Sequence, residues 1–513
     1  MNRAMFFTLW LQASAALAAA PASLSEQAAV QQTIDHNPTL QAAVSDVQQS
    51  AESLRAEQLR YRPRLLLDAT GSTQKTPNLD TSGGTSSQLS QSLLFGAELS
   101  QTFSWGTTVD LRLENRDTRS EGPLFSGSSD VFTLGPGFSF SARLSLTQPL
   151  LRGFGNEVGL AALRSEQLNR KELERARDDT ASEALSTALQ AYWEVWYAEQ
   201  ALGIQREART LVGQQRDETR RKVEAGSAAE VDLLSWETRV AELDQNVLAA
   251  EVQLKQRSVE LRRAMGLASA AASFDLTGAQ LPELQAYAPE ESLAAAQEAS
   301  YALLRQRLVL ERAELALRSV DDSSRPRLDL QAWVQTQGLG NQSASGAFEQ
   351  LGKFGNPSAN VGLSFELPLS ERHDAQLGSA RLAVTAARQR LEAARQQAVA
   401  DTEVELATLS QATQNIALAQ SSAEVSSRSV TAQHKRLDSG SATALEVREA
   451  EDSLRRARLS VERERVNAIK AQVRLAHLTG NLLAQWGVAA ATAAGAEFST
   501  GRGLPAAGES AAP

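Results

Sequence analysis

Residues 436–454 read RLDSGSATALEVREAEDSL, a stretch in which a helical pattern breaks at Ser439-Gly440 and restarts as a second helix. Residues 222–243, KVEAGSAAEVDLLSWETRVAEL, have the same design. In each stretch a long helix meets a glycine, Gly226 or Gly440, and an acidic residue follows six positions later. Two helical hairpin tips of one design predict a duplicated fold, so the rest of the chain is divided repeat by repeat.

Away from the tips, the hydrophobic period changes from that of a helix to that of a strand at two matching junctions. RYRPRLLLDAT around Pro63 is repeated as SSRPRLDLQAW around Pro326, and apolar and polar residues alternate beyond each proline. The returning strands, residues 138–147 and 360–367, alternate in the same way. Strands of about ten residues with one apolar face suit a tilted membrane strand between lipid and water. Because the strands are too few to bury one another, a barrel shared between chains is favoured over a soluble sandwich.

The first β segment is longer than the second, and its extra residues 89–116 also alternate around a tight turn at Ser104-Trp105-Gly106. This pattern predicts an inserted hairpin. The hairpin either adds two strands to the barrel or projects outside it, and the sequence leaves both open.

Long helical patterns follow each β segment and continue past each tip. Residues 158–225 and 374–438 predict two helices of about 100 Å, and four shorter ones are predicted at residues 25–61, 229–265, 290–320 and 443–478. Two short helices end to end match one long helix, so each repeat supplies one continuous and one spliced rod. Apolar residues recur every seven positions, as in coiled coils. An isolated soluble coiled coil would leave the alternating strands unexplained.

The chain is therefore divided into five segments. Residues 1–20, with an apolar run from Phe6 to Ala20, predict a secretory signal peptide, because the run is short for a membrane anchor of about 20 residues. The remaining segments are a first repeat at 21–265 with its β segment at 63–149, a connector at 266–289, a second repeat at 290–482 with its β segment at 326–368, and a disordered tail at 483–513.

Composition excludes several classes of site. The chain has 513 residues, no cysteine and a formal net charge of −10. Without cysteine it has no disulfide, thiolate metal site or cysteine nucleophile, and without a Lys/Arg block nucleic acid is not an expected partner. Its four histidines, His36, His373, His434 and His477, lack metal-ligand spacing. We therefore expect no catalytic residue, cofactor or metal, and no enzyme activity.

Two further motifs are interpreted as structural. Gly153 to Gly159 only loosely imitates a phosphate-binding glycine loop, because no parallel-sheet pattern follows it, and it predicts a strand-to-helix joint. The aromatic side chains Tyr192, Trp193, Trp196 and Tyr197 lie at helical spacing, which is more typical of packing than of a ligand cage.

With these pieces in place, the chain resembles the TolC family of outer-membrane efflux proteins over nearly its whole mature length. The residues that carry the resemblance are His36-Asn37-Pro38-Thr39-Leu40, Pro63-Arg64-Leu65, the run LTQPLLRGFG from Leu146 to Gly155, and the two glycine tips with Asp232-Leu233 and Glu446-Val447. The second repeat departs from the family pattern at Ala299-Ser300-Tyr301, which has no Asn-Pro pair.

The resemblance implies a mainly α fold with a membrane β-barrel portion. A homotrimer would form one barrel in the outer membrane, continued by an α-helical tunnel across the periplasm, with twelve or eighteen strands depending on the inserted hairpin. It implies a passive duct for small molecules (drugs, metals or metabolites), with a periplasmic adaptor, an inner-membrane transporter and outer-membrane lipid as partners.

The resemblance also implies roles for the tips. Glu446 and Glu449, with Asp232, would form rings of carboxylates at the periplasmic entrance, which attract cations in a narrow pore. The alternative is that Glu446 and Glu449 are first-turn acids stabilised by the helix dipole. Leu437 and Ala442 stand where other family members hold polar gate residues, so no polar latch is expected there. The adaptor would dock on Gly226, Ser227, Gly440 and Ser441.

Other functions remain open at the level of the sequence. The duct could instead be the outlet of a type I protein-secretion system. A periplasmic coiled-coil scaffold without a pore is a rival of another class, and a secreted enzyme is weakened by the missing active site.

Overall fold

The computed structural model describes residues 22–79, 85–123, 131–267, 274–276, 278–340, 344–354, 356–367, 371–439 and 441–488. The signal peptide predicted at 1–20 and Gly440 lie outside these residues. Among the helices of the described residues, none combines the length and the apolar character needed to cross a membrane.

Helices make up most of the described chain. They are α1 Glu26–His36, α2 Pro38–Leu59, α3 Asn156–Gly159, α4 Ala161–Glu224, α5 Glu230–Ala264, α6 Pro289–Ala299, α7 Tyr301–Ser323, α8 Ala344–Gly352, α9 Arg372–Asp438, α10 Ala444–Leu478 and α11 Leu482–Gln485. The two longest, α4 and α9, have 64 and 67 residues. The long segments with a helical hydrophobic period therefore form long helices, as the sequence predicts.

The strands are β1 Ala22–Ser23, β2 Arg64–Leu79, β3 Thr85–Thr102, β4 Thr108–Pro123, β5 Val131–Pro149, β6 Phe274–Asp275, β7 Arg327–Gly340 and β8 Pro357–Glu366. Six of them form one antiparallel sheet in the order β2-β3-β4-β5-β7-β8. The inserted hairpin, β3 and β4, lies inside this sheet. The alternative of a separate projection is thereby excluded for the described part of the hairpin.

The sheet has one apolar and one polar face. A row of side chains in register crosses five strands on one face: Leu65, Leu99, Leu111, Leu144 and Val334. The next row, on the opposite face, is Leu66, Glu98, Arg112, Arg143 and Gln335. The apolar row is largely exposed. Apolar side chains left exposed in such a row on a sheet face are typical of a surface that meets lipid or another molecule.

The chain divides into two compact units. One contains the described residues of Met1–Asp46, Glu174–Arg305 and Glu392–Pro513, and the other contains Val47–Leu173 and Gln306–Leu391, including the six-stranded sheet. The first of these units holds two large apolar clusters. One is built around Trp193, Val195 and Leu261, and another around Leu40, Leu185 and Leu482.

Two helices predicted as continuous are broken. Residues 25–61 form α1 and α2, with Asn37 extended between them, because its Oδ1 caps α2 by accepting from the amides of Thr39 at 3.0 Å and Leu40 at 3.3 Å. Residues 290–320 likewise form α6 and part of α7, interrupted at Ser300 (φ −56°, ψ 128°). Each prediction of one helix there is wrong.

At each break, the backbone contacts the glycine that follows α5 or α10, the helices that begin at the two tips. Gly266 lies just past α5 and Gly480 just past α10, with φ of +75° and +72°. A Cβ on Gly266 would lie 2.4 Å from the carbonyl oxygen of His36, and one on Gly480 would lie 2.5 Å from that of Ala299. The same glycine-to-break contact therefore occurs twice, although the second break lacks the Asn-Pro pair.

The predicted tail begins too early. Leu482 and Leu483 are buried, as is Val488, in the cluster that contains Leu40 and Leu185. Leu483 and Val488 anchor residues 483–488 to the core through these buried side chains, so that part of the prediction is wrong. Residues 489–513 lie outside the described chain. The predicted connector also includes a short strand, because β6 pairs in parallel with β1.

Candidate functional site

The first tip is closed by a glycine in the left-handed conformation. Gly226 has φ +72° and follows the end of α4. The next residue, Ser227, returns to the helix: both its amide (2.8 Å) and its Oγ (3.0 Å) donate to the carbonyl of Lys222. These bonds satisfy a helix carbonyl that would otherwise have no partner. Gly226 and Ser227 therefore have a defined local role in forming the turn.

The second tip repeats this arrangement. Ser441 donates to the carbonyl of Arg436 from its amide at 2.8 Å and from its Oγ at 3.1 Å, the same five-residue return as at Ser227. Gly440 itself lies outside the described residues. The sequence echo that placed Ser227 and Ser441 at matching positions thus corresponds to matching hydrogen bonds.

Thr443 and Glu446 cap the start of α10. The amide of Glu446 donates to Thr443 Oγ1 at 3.4 Å, and the amide of Thr443 donates to Glu446 Oε2 at 2.9 Å. This reciprocal pair is a capping box, which stabilises a helix N-terminus. The alternative interpretation of Glu446 as a first-turn acid therefore describes a real contact of this side chain.

The three proposed gate carboxylates are exposed. Glu446 and Glu449 lie near the start of α10, and Asp232 lies in the first turn of α5. Capping engages one carboxylate oxygen of Glu446 and leaves the charge of the group in place. Capping and a role in a pore entrance are thus compatible for the same side chain.

An apolar cluster joins the helices just behind the two tips. We call it the tip cluster; its buried members are Val212, Trp236, Val240, Leu243 and Val447. Leu437 and Ala444 pack against it. Because α4, α5 and α10 all contribute, the cluster fixes the first tip against the second within one chain. Leu437, which the family resemblance places at a gate position, is part of this apolar packing.

A polar network lies next to the tip cluster, and the sequence patterns did not predict it. The buried Arg239, 7% exposed, is paired with Asp452 of α10 and with Glu242 at 2.8 Å. Arg455 contacts Asp452 at 3.2 Å and donates to Gln205 Oε1 at 3.2 Å. Buried ion pairs hold their elements in one arrangement, because separating them would leave a charge without a partner. The only sequence signal was an arginine on the apolar side of α5.

His434 belongs to the same region. Its Nε2 lies 3.0 Å from Glu451, which also accepts from Gln215 at 3.0 Å. These residues line a cavity of about 390 Å³ together with Arg239 and Arg458. Among the described residues, no group of three or more His, Asp or Glu side chains is placed to hold a metal ion.

The aromatic residues of α4 lie in the core. Tyr192 donates from its hydroxyl to the carbonyl of Leu24 at 3.0 Å, and Trp193 donates from Nε1 to Glu26 at 3.2 Å. Trp193 and Trp196 pack edge to face with ring centroids 6.0 Å apart. Burial raises the pKa of Tyr192 to about 12. The interpretation of these aromatic residues as packing is confirmed for the three that are buried.

The glycine-containing segment after β5, Gly153 to Gly159, contacts the turn between β3 and β4. The amide of Gly155 donates to the carbonyl of Trp105 at 3.2 Å, and a Cβ on Gly159 would lie 2.0 Å from the carbonyl oxygen of Ser104. Small residues are needed because backbone meets backbone here. The run is thus a strand-to-helix joint, as its sequence context indicates.

The polar face of the sheet carries an ion cluster centred on Arg112. Its guanidinium contacts Glu98 at 3.0 Å, Glu114 at 3.3 Å and Asp68 at 3.3 Å. Asp68 lies two strands away, and Arg112 reaches it across Gly96, where a Cβ would lie 2.3 Å from Asp68 Oδ1. Charged side chains are thus concentrated on the face opposite the apolar rows.

The chain is similar to known outer-membrane proteins in sequence pattern and in fold. The model of the outer membrane efflux protein family matches residues 127–267 and 293–481. No curated protein matches the sequence. Among solved structures, the Campylobacter jejuni CmeC outer membrane channel superposes with a TM-score of 0.65 at 14% identity, covering 89% of this chain and 86% of that one.

Two other channels give similar values. The outer membrane protein VceC from Vibrio cholerae has a TM-score of 0.63 at 14% identity, with 89% of this chain and 96% of that chain covered. The open state of the Neisseria gonorrhoeae MtrE outer membrane channel has a TM-score of 0.60 at 19% identity, with 89% of each chain covered. At these identities the likeness shows a shared fold.

Proposed function

The chain belongs to the outer membrane efflux protein family, and we propose that it is a passive export duct for small molecules such as drugs, metals or metabolites. In this proposal an inner-membrane pump delivers the cargo through a periplasmic adaptor. The duct itself supplies no energy; it provides a water-filled path through the outer membrane.

The observation that carries the proposal is the two-faced sheet with two open edges. Its apolar rows are exposed, its polar face carries the Arg112 cluster, and neither β2 nor β8 has a second partner strand within the described chain. A membrane sheet must close, because unpaired backbone groups are costly in lipid. Closure with further copies, apolar face outward, gives a lipid-facing wall around a polar lumen.

A homotrimer supplies this closure. Each chain contributes six strands to the sheet, so three copies give eighteen. The helices offer a second contact between copies. Exposed apolar side chains recur along α5 at Leu234, Leu248 and Val252, and along α9 at Val404, Leu418 and Val425. Such stripes are typical of helices that bury one face against a neighbour.

The tips are the proposed periplasmic entrance. The adaptor docks on Gly226, Ser227, Gly440 and Ser441; the support for this is the matching pair of hydrogen bonds that Ser227 and Ser441 each make to a helix carbonyl. Glu446, Glu449 and Asp232 are repeated three times around the threefold axis and favour cations over anions at the narrowest point.

The duct as such is tested by location and conductance. We expect a heat-modifiable trimer in outer-membrane fractions that conducts ions in planar bilayers. A monomeric rod in the periplasmic fraction would contradict the proposal.

The carboxylate ring has a separate test that respects the capping box. Glu446→Gln combined with Glu449→Gln removes both charges, while the amide oxygen of the new side chain at position 446 can still accept from the Thr443 amide. We expect cation selectivity in bilayers to fall severalfold for this double variant. Thr443→Ala is the matched control: it costs the helix about 1 kcal/mol but leaves the charges, so its selectivity should match the parent channel. Unchanged selectivity in the double variant would remove the ring.

A further inference from the structure

Helix α8 rests on the apolar face of the sheet. Phe348 of α8 meets Phe140 of β5 edge to face, with ring centroids 5.5 Å apart. Ala347 is fully buried, and its carbonyl approaches Gly338 of β7 so closely that a Cβ there would lie 1.9 Å from it. Phe140 and Gly338 are partners in register. They share a face with the apolar row, because Leu144 and Val334 lie four residues along the same two strands.

Polar side chains around α8 also close the free edge of β7. β8 pairs with β7 only as far as Thr336. Beyond it, the amide of Leu339 donates to Gln350 Oε1 at 3.1 Å, and Asn356 Nδ2 donates to the carbonyl of Gln337 at 3.1 Å. These bonds tie α8 and the residue before β8 to a fixed place on the sheet.

This segment also exposes two aromatic side chains. Phe348 is 62% exposed despite its contact with Phe140, and Phe354, two residues past α8, is 65% exposed. Between them Lys353 pairs with Glu349 at 2.6 Å. Girdles of aromatic residues flank the apolar band of a membrane β-barrel at the membrane–water boundary, and exposed phenylalanines beside an ion pair are consistent with that position.

The position along β7 places α8 at that boundary. From Arg327, next to the helical joint, to Gly338 there are eleven steps, a height of about 28 Å for a strand tilted by about 40°. The apolar band of such a sheet is about 25 Å tall. The contact between α8 and Gly338 therefore falls at the outer limit of the band, on the side away from the helices.

We propose that α8 is a membrane-boundary helix, with Phe348 and Phe354 lying among outer-membrane lipid. The inference rests on the proposed function, because it needs the apolar face of the sheet to meet lipid. Continuity with that face selects lipid as the occupant: α8 covers Gly338 and Phe140 and presents new apolar surface in their place. A second copy of the chain packed on α8 is the competing occupant.

Site-directed spin labelling tests the assignment, since the chain has no cysteine. Single variants Phe348→Cys and Phe354→Cys carry the nitroxide in full-length protein reconstituted in phosphatidylethanolamine–phosphatidylglycerol vesicles. Val361→Cys and Asn360→Cys are the matched controls, because these exposed neighbours on β8 point to opposite faces. Oxygen, which concentrates in lipid, and a water-soluble nickel chelate are the two relaxing agents.

We expect the labels at 348 and 354 to behave as the label at 361 does, with oxygen relaxing them severalfold more strongly than the nickel chelate. Accessibility like that at 360 would place α8 in water and overturn the inference. Exclusion of both agents at 348 and 354 would show a second copy covering α8 and would also overturn it. If 361 and 360 do not differ, the sheet is not in a membrane, and the proposed function fails with the inference. The label at 354 keeps the test decisive if Phe348→Cys disturbs the contact with Phe140.

Discussion

Individual residues at the tips do more than one thing. Glu446 caps α10 and also exposes its carboxylate to solvent. Ser227 and Ser441 each donate two hydrogen bonds, from the amide and from Oγ, to one helix carbonyl. The sequence predicted the positions of these residues through the echo between the tips. It could not predict Arg239 with Asp452, because the pair joins positions more than 200 residues apart and no local pattern records such a contact.

A half-buried carboxyl group of α4 offers a test at this scale. Glu199 of α4 accepts from the amide of Leu276 through both carboxylate oxygens, at 3.1 and 2.9 Å. Burial, with the charge of Asp275 adding to it, raises the pKa of Glu199 from 4.5 to about 7. The folded state thus holds the proton more tightly than the unfolded state, so stability falls as the pH rises from about 4.5 to about 7.

We therefore expect Glu199→Gln to stabilise the protein at pH 8 and to have little effect at pH 5. The gain is about 1–2 kcal/mol after allowing for solvent screening of this partly exposed group. Thermal unfolding midpoints in detergent at the two pH values measure it. Glu298→Gln, at an exposed position of α6, is the control and should show no such difference. Equal effects of Glu199→Gln at both pH values would contradict the stated cause.

At the scale of the elements, the hydrophobic period of the sequence predicted the strands and the long helices. It did not predict where helices are interrupted. The period runs through Asn37 and Ser300 without a gap. At Asn37 the reason is that α1 and α2 contribute Val30 and Leu40 to one buried cluster. At Asn37 a signal was present, since Asn followed by Pro is a typical helix start. At Ser300 there was none. Helix α8 was missed because its nine residues are too few for a period to show.

The repeated contact between a glycine and a helix break allows a matched comparison. Gly480 and Gly487 have φ of +72° and +70°, but a Cβ on Gly480 would meet the carbonyl oxygen of Ala299 at 2.5 Å, whereas one on Gly487 would meet nothing within 4 Å. Alanine at either position costs about 1 kcal/mol for its backbone conformation. We expect Gly480→Ala to cost about 1–3 kcal/mol more, because the break must move.

Thermal unfolding of the two variants under identical conditions measures this difference. Similar losses for Gly480→Ala and Gly487→Ala would show that the backbone conformation, and no contact with the break, sets the requirement for glycine at position 480.

For the whole molecule, the proposed homotrimer would cover surfaces that the described part of one chain leaves open. The open edges of β2 and β8 and the exposed stripes of α5 and α9 are of this kind. The sequence indicated a shared barrel from the small number of strands, but it could not decide the place of the inserted hairpin, because strands on a projection and in a wall alternate alike.

Assembly can be tested on the stripes. Leu248→Glu on α5 and Leu418→Glu on α9 place a charge where 62% and 69% of an apolar side chain is exposed in the single chain. If these positions are buried between copies, each change removes about 1.5–3 kcal/mol of apolar burial per copy and adds an unpaired charge. We expect loss of the heat-modifiable trimer on semi-native gels.

Gln253→Glu, an exposed polar position on α5, is the control and should leave the trimer intact. A trimer that survives both leucine changes would show that the stripes of α5 and α9 do not join the copies.

The closed end of the β7 edge also affects how a monomer behaves before the proposed assembly. Before the proposed assembly a monomer has two unpaired strand edges, and unpaired edges recruit other strands indiscriminately. Gln350 and Asn356 occupy backbone groups of β7 beyond Thr336, so the adhesive edge on that side is limited to the ten residues of β8. A short edge offers few stable registers to an incoming β2. We therefore expect encounters in a wrong register to be brief, so that in the proposed assembly a monomer dissociates and searches again.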